Sequence, residues 1–593
     1  MSDLLQYFER ELDYFSRSFS EFERLHSQAA KVLGVTGGKS DDPHVSRLID
    51  SVALTAARMQ KRLDENVPEI ALDLLRLICP VLTIGVPSYC VLELAKDDDQ
   101  LAEPILVPLG TRMSMANLDD ERCVFQVAHD TWINPVVIDY ASLKQAPFNF
   151  TSTDDCKTST YALCIGLSGF DKDSEWQDCM GEVLDLYISG SGQKKQRMVS
   201  LLTSSVCGIS LVSINNDFEI VMDLDALRCG HKDTYLPEFA PQMRAIGEMY
   251  DFLCYPDKAG YFGLCGIKQC LTKMPAGPIE LRLMLSNTVA VPDMDLGPAD
   301  ISLNCIALIN WFEEHSAPTS YAYARDSVPV FAQEETNNST TENPILHLKE
   351  VVQLTSEGER LLQSVSSARS INEEGQAQWQ QRHVVGNFAP SRVEISFSVP
   401  TNTAVIPPDI AFVARLICSN GTKVMGIHAQ QPVQCGLDAL ATVAFLVKRA
   451  PTASVLPNYS ASRIWDLLAL LNGNFHALLE QHQSHQALSD LIRLCSPTDN
   501  NAVVDALVSV KISQSVASVR VGQQMMLSAG SVIELVLDSA AMPYSAQSFA
   551  LALNRFFAAF VSYDRFYQLI ILQPGHVEPL VEFPRAHGSQ VNL

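Results

Sequence analysis

The first 25 residues place apolar side chains at intervals of three and four residues. Side chains at this spacing line one face of a helix, and the pattern is typical of a seam that packs against another helix. Acidic and basic residues fill the positions between them, so the helix is amphipathic. The candidate interface residues of this predicted N-terminal helix are Leu5, Phe8, Leu12, Phe15, Phe19 and Phe22.

Two further helical segments follow the first. The pair Asp42-Pro43 predicts a helix start, because Asp caps a helix and Pro suits its first turn. Pro68 and Pro80 bracket another predicted helix at residues 70–78. We therefore expect residues 1–86 to form a helical bundle region. Its apolar stripes either pack within the bundle or bind a helix of a partner, and an aromatic seam near a terminus favours the partner.

From Pro87 the period of the apolar positions changes from helical to strand-like. Short apolar runs are divided by turn residues, which is typical of β-strands. We predict one or two sandwich-like or barrel-like modules over residues 87–330. The predicted strands are residues 89–94, 105–108, 123–127, 132–138, 183–188, 209–214, 279–285 and 301–309.

The remainder mixes both periods. Residues 331–380 hold two polar runs, which predict a linker or exposed loops. Residues 381–593 are predicted as a C-terminal α+β domain. Its strands are expected at residues 393–397, 411–418 and 566–572, and its helices at residues 464–472, 475–479, 487–495 and 546–561. The chain is therefore predicted to be a multidomain α+β protein.

The last predicted helix carries an aromatic stripe. The stripe either binds a neighbouring copy in an assembly or covers the chain's own closing strand at residues 566–572. Both interpretations are compatible with the spacing. The candidate interface residues here are Phe549, Leu553, Phe556, Phe557 and Phe560.

Composition narrows the function classes. A chain of 593 residues exceeds one hydrophobic core, and 47% apolar residues are ordinary for a globular protein. The net charge of −25 opposes binding to nucleic acid or anionic lipid, which both need clustered Lys and Arg. No apolar run is long enough to cross a bilayer, and no secretory signal is visible. We expect a cytoplasmic protein whose 15 cysteines are reduced.

Motifs that carry chemistry are missing from the sequence. There is no phosphate-binding glycine loop, nucleophile elbow or His-Glu-x-x-His motif. Cys265 and Cys270 make one close pair, whereas zinc sites usually show two. We therefore expect no catalytic, cofactor-binding or metal-binding residue. Two alternatives stay open: a β-rich hydrolase that uses dispersed carboxylates, and a carbohydrate- or protein-binding module.

Several segments, taken in order, resemble the TssF (ImpG/VasA) family of the type VI secretion baseplate. The opening Tyr7-Phe8-Glu9-Arg10-Glu11-Leu12 is similar to the family's start, and a strand from Leu303 to Phe312 is also characteristic. The sequence departs from the family's pattern at Trp311 and after Asn420. The matching segments are residues 7–14, 42–48, 56–64, 69–80, 108–111, 123–125, 303–312, 418–420, 451–452, 465 with 471–472, 555–557 and 566–569.

The resemblance implies a structural role without an active site. In this family two TssF copies join one TssG to form a wedge that contacts the adaptor TssK. Six wedges surround the spike hub VgrG, and TssE starts the sheath on this platform. The resemblance therefore implies as partners TssG, a second copy of this chain, TssK, TssE and VgrG, in a cytoplasmic baseplate docked to the inner-membrane complex.

The aromatic seam predicts low solubility when the chain is expressed without a partner. The chain expressed alone should aggregate, and co-expression with TssG should raise its soluble yield, because an uncovered apolar stripe drives association. Soluble yield and size-exclusion profiles with and without TssG measure this. A monodisperse monomer that TssG leaves unchanged would contradict the prediction.

Overall fold

The computed structural model describes most of the chain. The described residues are 2–32, 35–36, 39–40, 43–95, 101–148, 159–170, 175–189, 192–215, 218–230, 244–286, 296–322, 327–332, 343–365, 377–384, 392–398, 409–437, 440, 443–456, 461–472, 484–496, 502–521, 524–562 and 564–588. The helices are α1 (Ser2–Leu25), α2 (Ser27–Val32), α3 (Pro43–Ile78), α4 (Trp176–Cys179), α5 (Gly192–Ser204), α6 (Arg244–Cys254), α7 (Ile267–Leu271), α8 (Ala461–Asn472), α9 (Ser484–Cys495), α10 (Ala502–Asp505) and α11 (Ala546–Phe560).

Strands make up most of the remaining structure. The first sixteen are β1 (Val35–Thr36), β2 (Lys39–Ser40), β3 (Tyr89–Leu94), β4 (Ile105–Val107), β5 (Arg112–Ala116), β6 (Arg122–Val127), β7 (Thr131–Ile133), β8 (Val136–Gln145), β9 (Ser159–Gly169), β10 (Val183–Ile188), β11 (Val206–Ser213), β12 (Glu219–Met222), β13 (Leu227–Cys229), β14 (Tyr261–Cys265), β15 (Ile279–Ser286) and β16 (Ile301–Leu303). The others are β17 (Cys305–Ile309), β18 (Phe312–His315), β19 (Thr319–Tyr321), β20 (Val328–Pro329), β21 (Ile345–Thr355), β22 (Gly358–Ser364), β23 (Gln378–Val384), β24 (Arg392–Ser398), β25 (Ile410–Cys418), β26 (Pro432–Cys435), β27 (Phe445–Arg449), β28 (Leu507–Val521), β29 (Gln524–Leu537), β30 (Phe566–Leu572), β31 (Pro579–Glu582) and β32 (Ala586–His587).

The chain divides into two compact units. The first comprises Met1–Leu77 with Tyr459–Leu468, and the second comprises Ile78–Asn458 with Ala469–Leu593. In the first unit, α1 confirms the predicted N-terminal helix and contacts α2 and the β1–β2 hairpin. The predicted break at Pro68 is wrong, because α3 runs through it without interruption. One proline removes a single backbone hydrogen bond, which a helix of 36 residues tolerates.

A closed barrel lies at the centre of the second unit. Its strands follow the order β17-β3-β27-β26-β5-β6, and their inward side chains, among them Phe125, Ile306 and Phe445, form a buried core. The barrel draws strands from both sides of the predicted boundary at residue 381. The predicted boundary therefore separates strands that belong to one barrel. β26 and β27 follow it and pair with β5 and β3, which lie about three hundred residues earlier in the chain.

The other sheets of this part of the chain are formed by segments inserted between barrel strands, β8–β16 before β17 and β18–β25 before β26. The segment after the barrel's first strands forms a five-stranded sheet (β12-β11-β15-β9-β8) and a four-stranded sheet (β13-β14-β10-β16), which share one core. An eight-stranded sheet contains β18 to β25. The predicted linker at residues 331–380 is wrong for residues 345–364, because β21 and β22 belong to that sheet. The described helices and strands together confirm the predicted α+β class.

Asparagine side chains mark the points where the chain leaves the barrel. The predicted strand at residues 301–309 is broken at Asn304, whose φ of 53° only Gly and Asn adopt readily. Asn304 accepts a hydrogen bond from the backbone N–H of Asn134 and donates to its carbonyl, both at 2.8 Å. Asn134 in turn accepts from the N–H of Gly181 at 2.8 Å. This buried pair therefore connects the start of β17 with the turn between β7 and β8. Through Gly181 it also connects to the segment that leads into β10.

A second asparagine pair lies at the other end of β17. Asn310 is fully buried, and its side chain donates to the carbonyl of Val124 at 2.7 Å and to Oδ1 of Asn420 at 2.8 Å. Its own Oδ1 accepts from the N–H of Asn420 at 2.7 Å. Val124 lies in the barrel and Asn420 follows β25 of the eight-stranded sheet. The pair therefore ties these two sheets together.

The last part of the chain forms a separate sheet covered by one helix. β28 and β29 make a long hairpin, β30 pairs parallel to β29, and β31 and β32 follow β30. The predicted helices at residues 464–472, 487–495 and 546–561 are confirmed within α8, α9 and α11. The predicted helix at residues 475–479 lies outside the described residues. Helices α5 and α6 were not predicted, although buried Ile246 and Met249 show helical spacing.

Removing the buried asparagine pair should loosen the fold. Asn310→Ala leaves buried backbone and amide groups without partners, each costing about 1–3 kcal/mol, so we expect the melting temperature to fall by several degrees. Asn343→Ala is the matched control, because this half-buried amide makes only 3.4 Å contacts. Equal thermal shifts for the two variants would contradict the prediction.

Candidate protein–protein interface

The N-terminal seam is only partly covered by the chain itself. Leu5 is 56% exposed, and the five other seam residues are half-buried. The rings of Phe15 and Phe19 lie 6.4 Å apart along the helix, so the seam is a continuous aromatic ridge. An ion pair between Arg17 and Asp13, at 3.2 Å, lies on the polar face. The structure thus leaves apolar area on α1 that a further helix could cover.

A second apolar surface runs along α3. Leu48 and Met59 are 66% and 64% exposed, and large apolar side chains continue to be exposed near the end of the helix. Each residue of a helix is rotated by about 100° from the one before it, so the exposed apolar side chains between Leu48 and Leu77 fall within one arc of about 80°. They extend over about 44 Å of the helix. We call this surface the outer face of α3. Its members are Leu48, Val52, Met59, Ile70, Leu74 and Leu77.

The same helix buries a different face. Ala53, Ala57, Ala71 and Leu75 are buried, and they lie on the side opposite the outer face. Since the inner face already supplies the helix with its own packing, the outer face is not needed to fold the unit. The sequence pattern contained Leu48, Val52 and Met59, but the expected break at Pro68 hid the continuation through Ile70.

The aromatic stripe of the last helix is buried within the chain. Phe549, Leu553, Phe556 and Phe557 are all buried within the chain, and the side chain of Phe560 lies outside the described residues. Helix α11 packs on α5, α6 and β30, with the Phe549 ring 6.4 Å from that of Phe252. These four residues therefore cover the chain's own elements, and a contact with another copy in this region would use other residues.

One cavity of about 70 Å³ lies between α11 and the α6 region. It is lined by Glu248, Asp251, Lys258, Ser548 and Arg555, among others. Asp251 accepts a hydrogen bond from Lys258 at 2.5 Å, so this carboxylate is already neutralised by a buried partner.

The hydrolase alternative requires paired carboxyl groups with raised pKa values in such a cavity. Burial raises the pKa of Asp185 to about 6, but Asp185 lies on β10 and does not line the cavity. The two carboxylates that line the cavity are Glu248 and Asp251, and Asp251 is already paired with Lys258.

The described part of the chain shows neither a metal-binding cluster nor a membrane-spanning helix. There, no group of three or more His, Cys, Asp or Glu side chains is arranged to hold a metal ion. The described helices include none that is both long and apolar enough to span a bilayer. Burial raises the pKa values of Cys90, Cys305 and Cys418 well above the usual thiol range, which is typical of structural cysteines.

Taken together, the described fold defines a multidomain structural subunit with apolar helical surfaces suited to assembly. The sequence profile of the family described as "Type VI secretion system, TssF" matches residues 1–590. The chain therefore belongs to the TssF family.

Individual relatives are distant in sequence. The chain is 23% identical over 294 residues to the type VI secretion system component TssF1 of Pseudomonas aeruginosa. That match spans 47% of this chain and 47% of the relative, about half the length of each.

Two solved structures share the fold. A chain of the TssK-TssF-TssG baseplate subcomplex of the type VI secretion system, determined by cryo-electron microscopy, superposes with a TM-score of 0.71 at 16% identity. The similarity covers 92% of this chain and 99% of that chain. A chain of the type VI secretion baseplate complex gives a TM-score of 0.56 at 14% identity, over 99% and 100% of the two chains.

The buried stripe of α11 predicts a folding defect when it is truncated. Phe549→Ala should lower the free energy of unfolding by about 3–5 kcal/mol, because it leaves a cavity in a closed core. Leu527→Ala removes a side chain that is 79% exposed and should change it by less than about 0.5 kcal/mol. Thermal melts of both variants measure the difference, and a Phe549→Ala protein as stable as wild type would refute the packing described here.

Proposed function

We propose that this chain is a structural subunit of the type VI secretion baseplate, where two copies join one TssG to form a wedge. The observation that carries the proposal is the outer face of α3, together with the half-covered seam of α1. Large exposed apolar patches on a soluble protein mark protein–protein contacts, and the six exposed apolar side chains of this face lie in two groups, at residues 48–59 and 70–77. Helices with apolar faces on both sides are suited to a bundle shared between chains.

The partner is proposed to be helical. The outer face of α3 repeats at helical spacing and is about 44 Å long, which fits a helix of about 30 residues laid along it. An extended strand would match alternate residues instead. TssG and the second copy are the proposed occupants. One solved structure with this fold comes from a subcomplex of TssK, TssF and TssG, which supports the proposal of TssG.

Further assembly partners are proposed on the same basis. The wedge would contact TssK, surround the spike hub VgrG and carry TssE at the start of the sheath. The net charge of −25 favours protein partners over nucleic acid or an anionic membrane surface. The site of action would be the cytoplasm, in a baseplate docked to the inner-membrane complex. Contacts between neighbouring wedges are proposed to involve the C-terminal region.

The aromatic seam of α1 gives the direct test of wedge assembly. Phe15→Asp should lower TssG binding at least tenfold, because an unpaired carboxylate in an apolar seam is costly to bury. Phe15 is half-buried at the chain's own surface, so the rest of the fold should persist. Pull-down from cells that co-express TssG measures binding, and circular dichroism measures the fold.

Tyr14→Asp is the matched control for this substitution. It also replaces an aromatic residue by Asp on α1, but Tyr14 is 65% exposed and lies on another face of the helix. We expect TssG binding by this variant to stay within twofold of wild type. If Phe15→Asp binds TssG as well as Tyr14→Asp does, the seam is internal to the chain and its role in assembly is wrong.

A further inference from the structure

The outer face of α3 repeats every eleven residues. Leu48, Met59 and Ile70 are eleven residues apart, and their side chains are 66%, 64% and 62% exposed. Val52 and Leu74 are twice as far apart in the sequence, and their exposed fractions, 47% and 46%, are again nearly equal. Eleven residues make close to three turns of an α-helix, so side chains at this spacing lie in rows that run along the helix axis. A helix that follows these rows stays straight or winds slightly to the right.

The seam of α1 follows a different repeat. Its six residues form two rows in which neighbours are seven residues apart. The rows are Leu5, Leu12 and Phe19, and Phe8, Phe15 and Phe22. A seven-residue repeat drifts by about 20° per repeat around a straight helix, so a partner that follows it supercoils to the left. The seam of α1 and the outer face of α3 therefore suit partner helices that wind differently.

The exposed apolar side chains of α3 do not continue at seven-residue spacing. Continued from Leu48 and Val52, that spacing would reach Arg76 and Asp73 near the end of the helix. These two residues are half-buried and form an ion pair at 2.9 Å, so they do not extend the apolar surface. A helix that covers the whole outer face therefore needs apolar rows at eleven-residue spacing, and α3 of a second copy has them.

Two copies of the outer face match each other in area and in charge. Each of the six exposed side chains offers about 100 Å², so a pair of faces removes about 1,200 Å² from water, the lower limit for a stable interface. Residues 43–60 hold two arginines and one aspartate, whereas residues 61–78 hold three basic and four acidic residues. An antiparallel pair places the net positive half of one helix against the net negative half of the other, which is favourable. A parallel pair would place like charges together.

We propose that the outer face of α3 binds the same face of α3 in a second copy of this chain, as a straight antiparallel pair, and that the seam of α1 is left for TssG. This inference rests on the proposed function, in which two copies join one TssG, and it assigns one surface to each partner. The two-fold axis lies between residues 62 and 63, so Leu48 lies opposite Leu77 of the second copy. The exposed group at residues 48–59 then packs against the group at residues 70–77. A two-fold contact of this kind closes after two copies.

Native mass spectrometry of the full chain co-expressed with TssG tests this assignment. We expect wild type to give two copies per TssG, and Met59→Asp to lower the ratio of two-copy to one-copy complexes at least tenfold, because an unpaired carboxylate in an apolar contact is costly to bury. Met59 is 64% exposed, so the single chain should keep its fold, which circular dichroism checks. Met425→Asp is the matched control, since Met425 is 53% exposed on another part of the chain. This variant should keep two copies per TssG.

Three results would overturn the proposal. Met59→Asp may not keep two copies per TssG, it may not lose TssG itself, and wild type may not carry a single copy per TssG. Loss of TssG from Met59→Asp would assign the outer face to TssG. A wild-type chain that does not bind TssG at all would instead refute the proposed function.

Cross-linking with a short bis-maleimide tests the direction of the pair. In complexes with TssG, a copy with Leu48→Cys and a differently tagged copy with Leu77→Cys should cross-link above the background of the wild-type cysteines. Two copies that both carry Leu48→Cys should stay at that background, because their thiols lie at opposite ends of the pair, about 44 Å apart. Cross-linking between the two Leu48→Cys copies, or in neither combination, would overturn the antiparallel pair.

Discussion

The architecture depends on buried amide hydrogen bonds at the two ends of one barrel strand. Asn304 and Asn310 lie just before and just after β17. Asn304 bonds the backbone of Asn134, between β7 and β8, and Asn310 bonds the backbone of Val124 in the barrel and of Asn420 after β25. A buried amide whose donors and acceptors are all used fixes a geometry more strictly than apolar packing, because any other arrangement leaves polar groups unpaired. These bonds hold the barrel and its neighbouring sheets in one arrangement, which a scaffold requires.

The segments that carry the family resemblance coincide with these joints. Residues 303–312 contain both asparagines, and residues 418–420 end with Asn420, the hydrogen-bond partner of Asn310. Asn304 and Asn310 satisfy backbone groups at the two ends of the buried strand β17. These segments of the family's pattern therefore include residues that join the sheets.

Local periodicity predicted most regular elements but not their long-range arrangement. The predicted strands at residues 89–94 and 183–188 are those observed, because alternation is a local property. The pairing of β3 with β27 spans about 350 residues, and no local pattern encodes it. Two predicted strands were broken at Asn134 and Asn304, where a side-chain bond overrides the apolar run. Residues 345–364 were included in the predicted linker because polar runs lie on both sides of them, yet β21 and β22 are interior strands of the eight-stranded sheet.

The spacing of apolar residues also could not show which of the two candidate interface stripes is buried within the chain. The stripes of α1 and α11 look alike in sequence, yet α11 is buried by α5 and α6 while α1 stays half-covered. The central claim is that this chain is a scaffold built to share helices with other chains. Native mass spectrometry of the chain co-expressed with TssG tests it most directly. The account predicts one stable complex with two copies of this chain per TssG, and a chain that emerges only as a free monomer would contradict it.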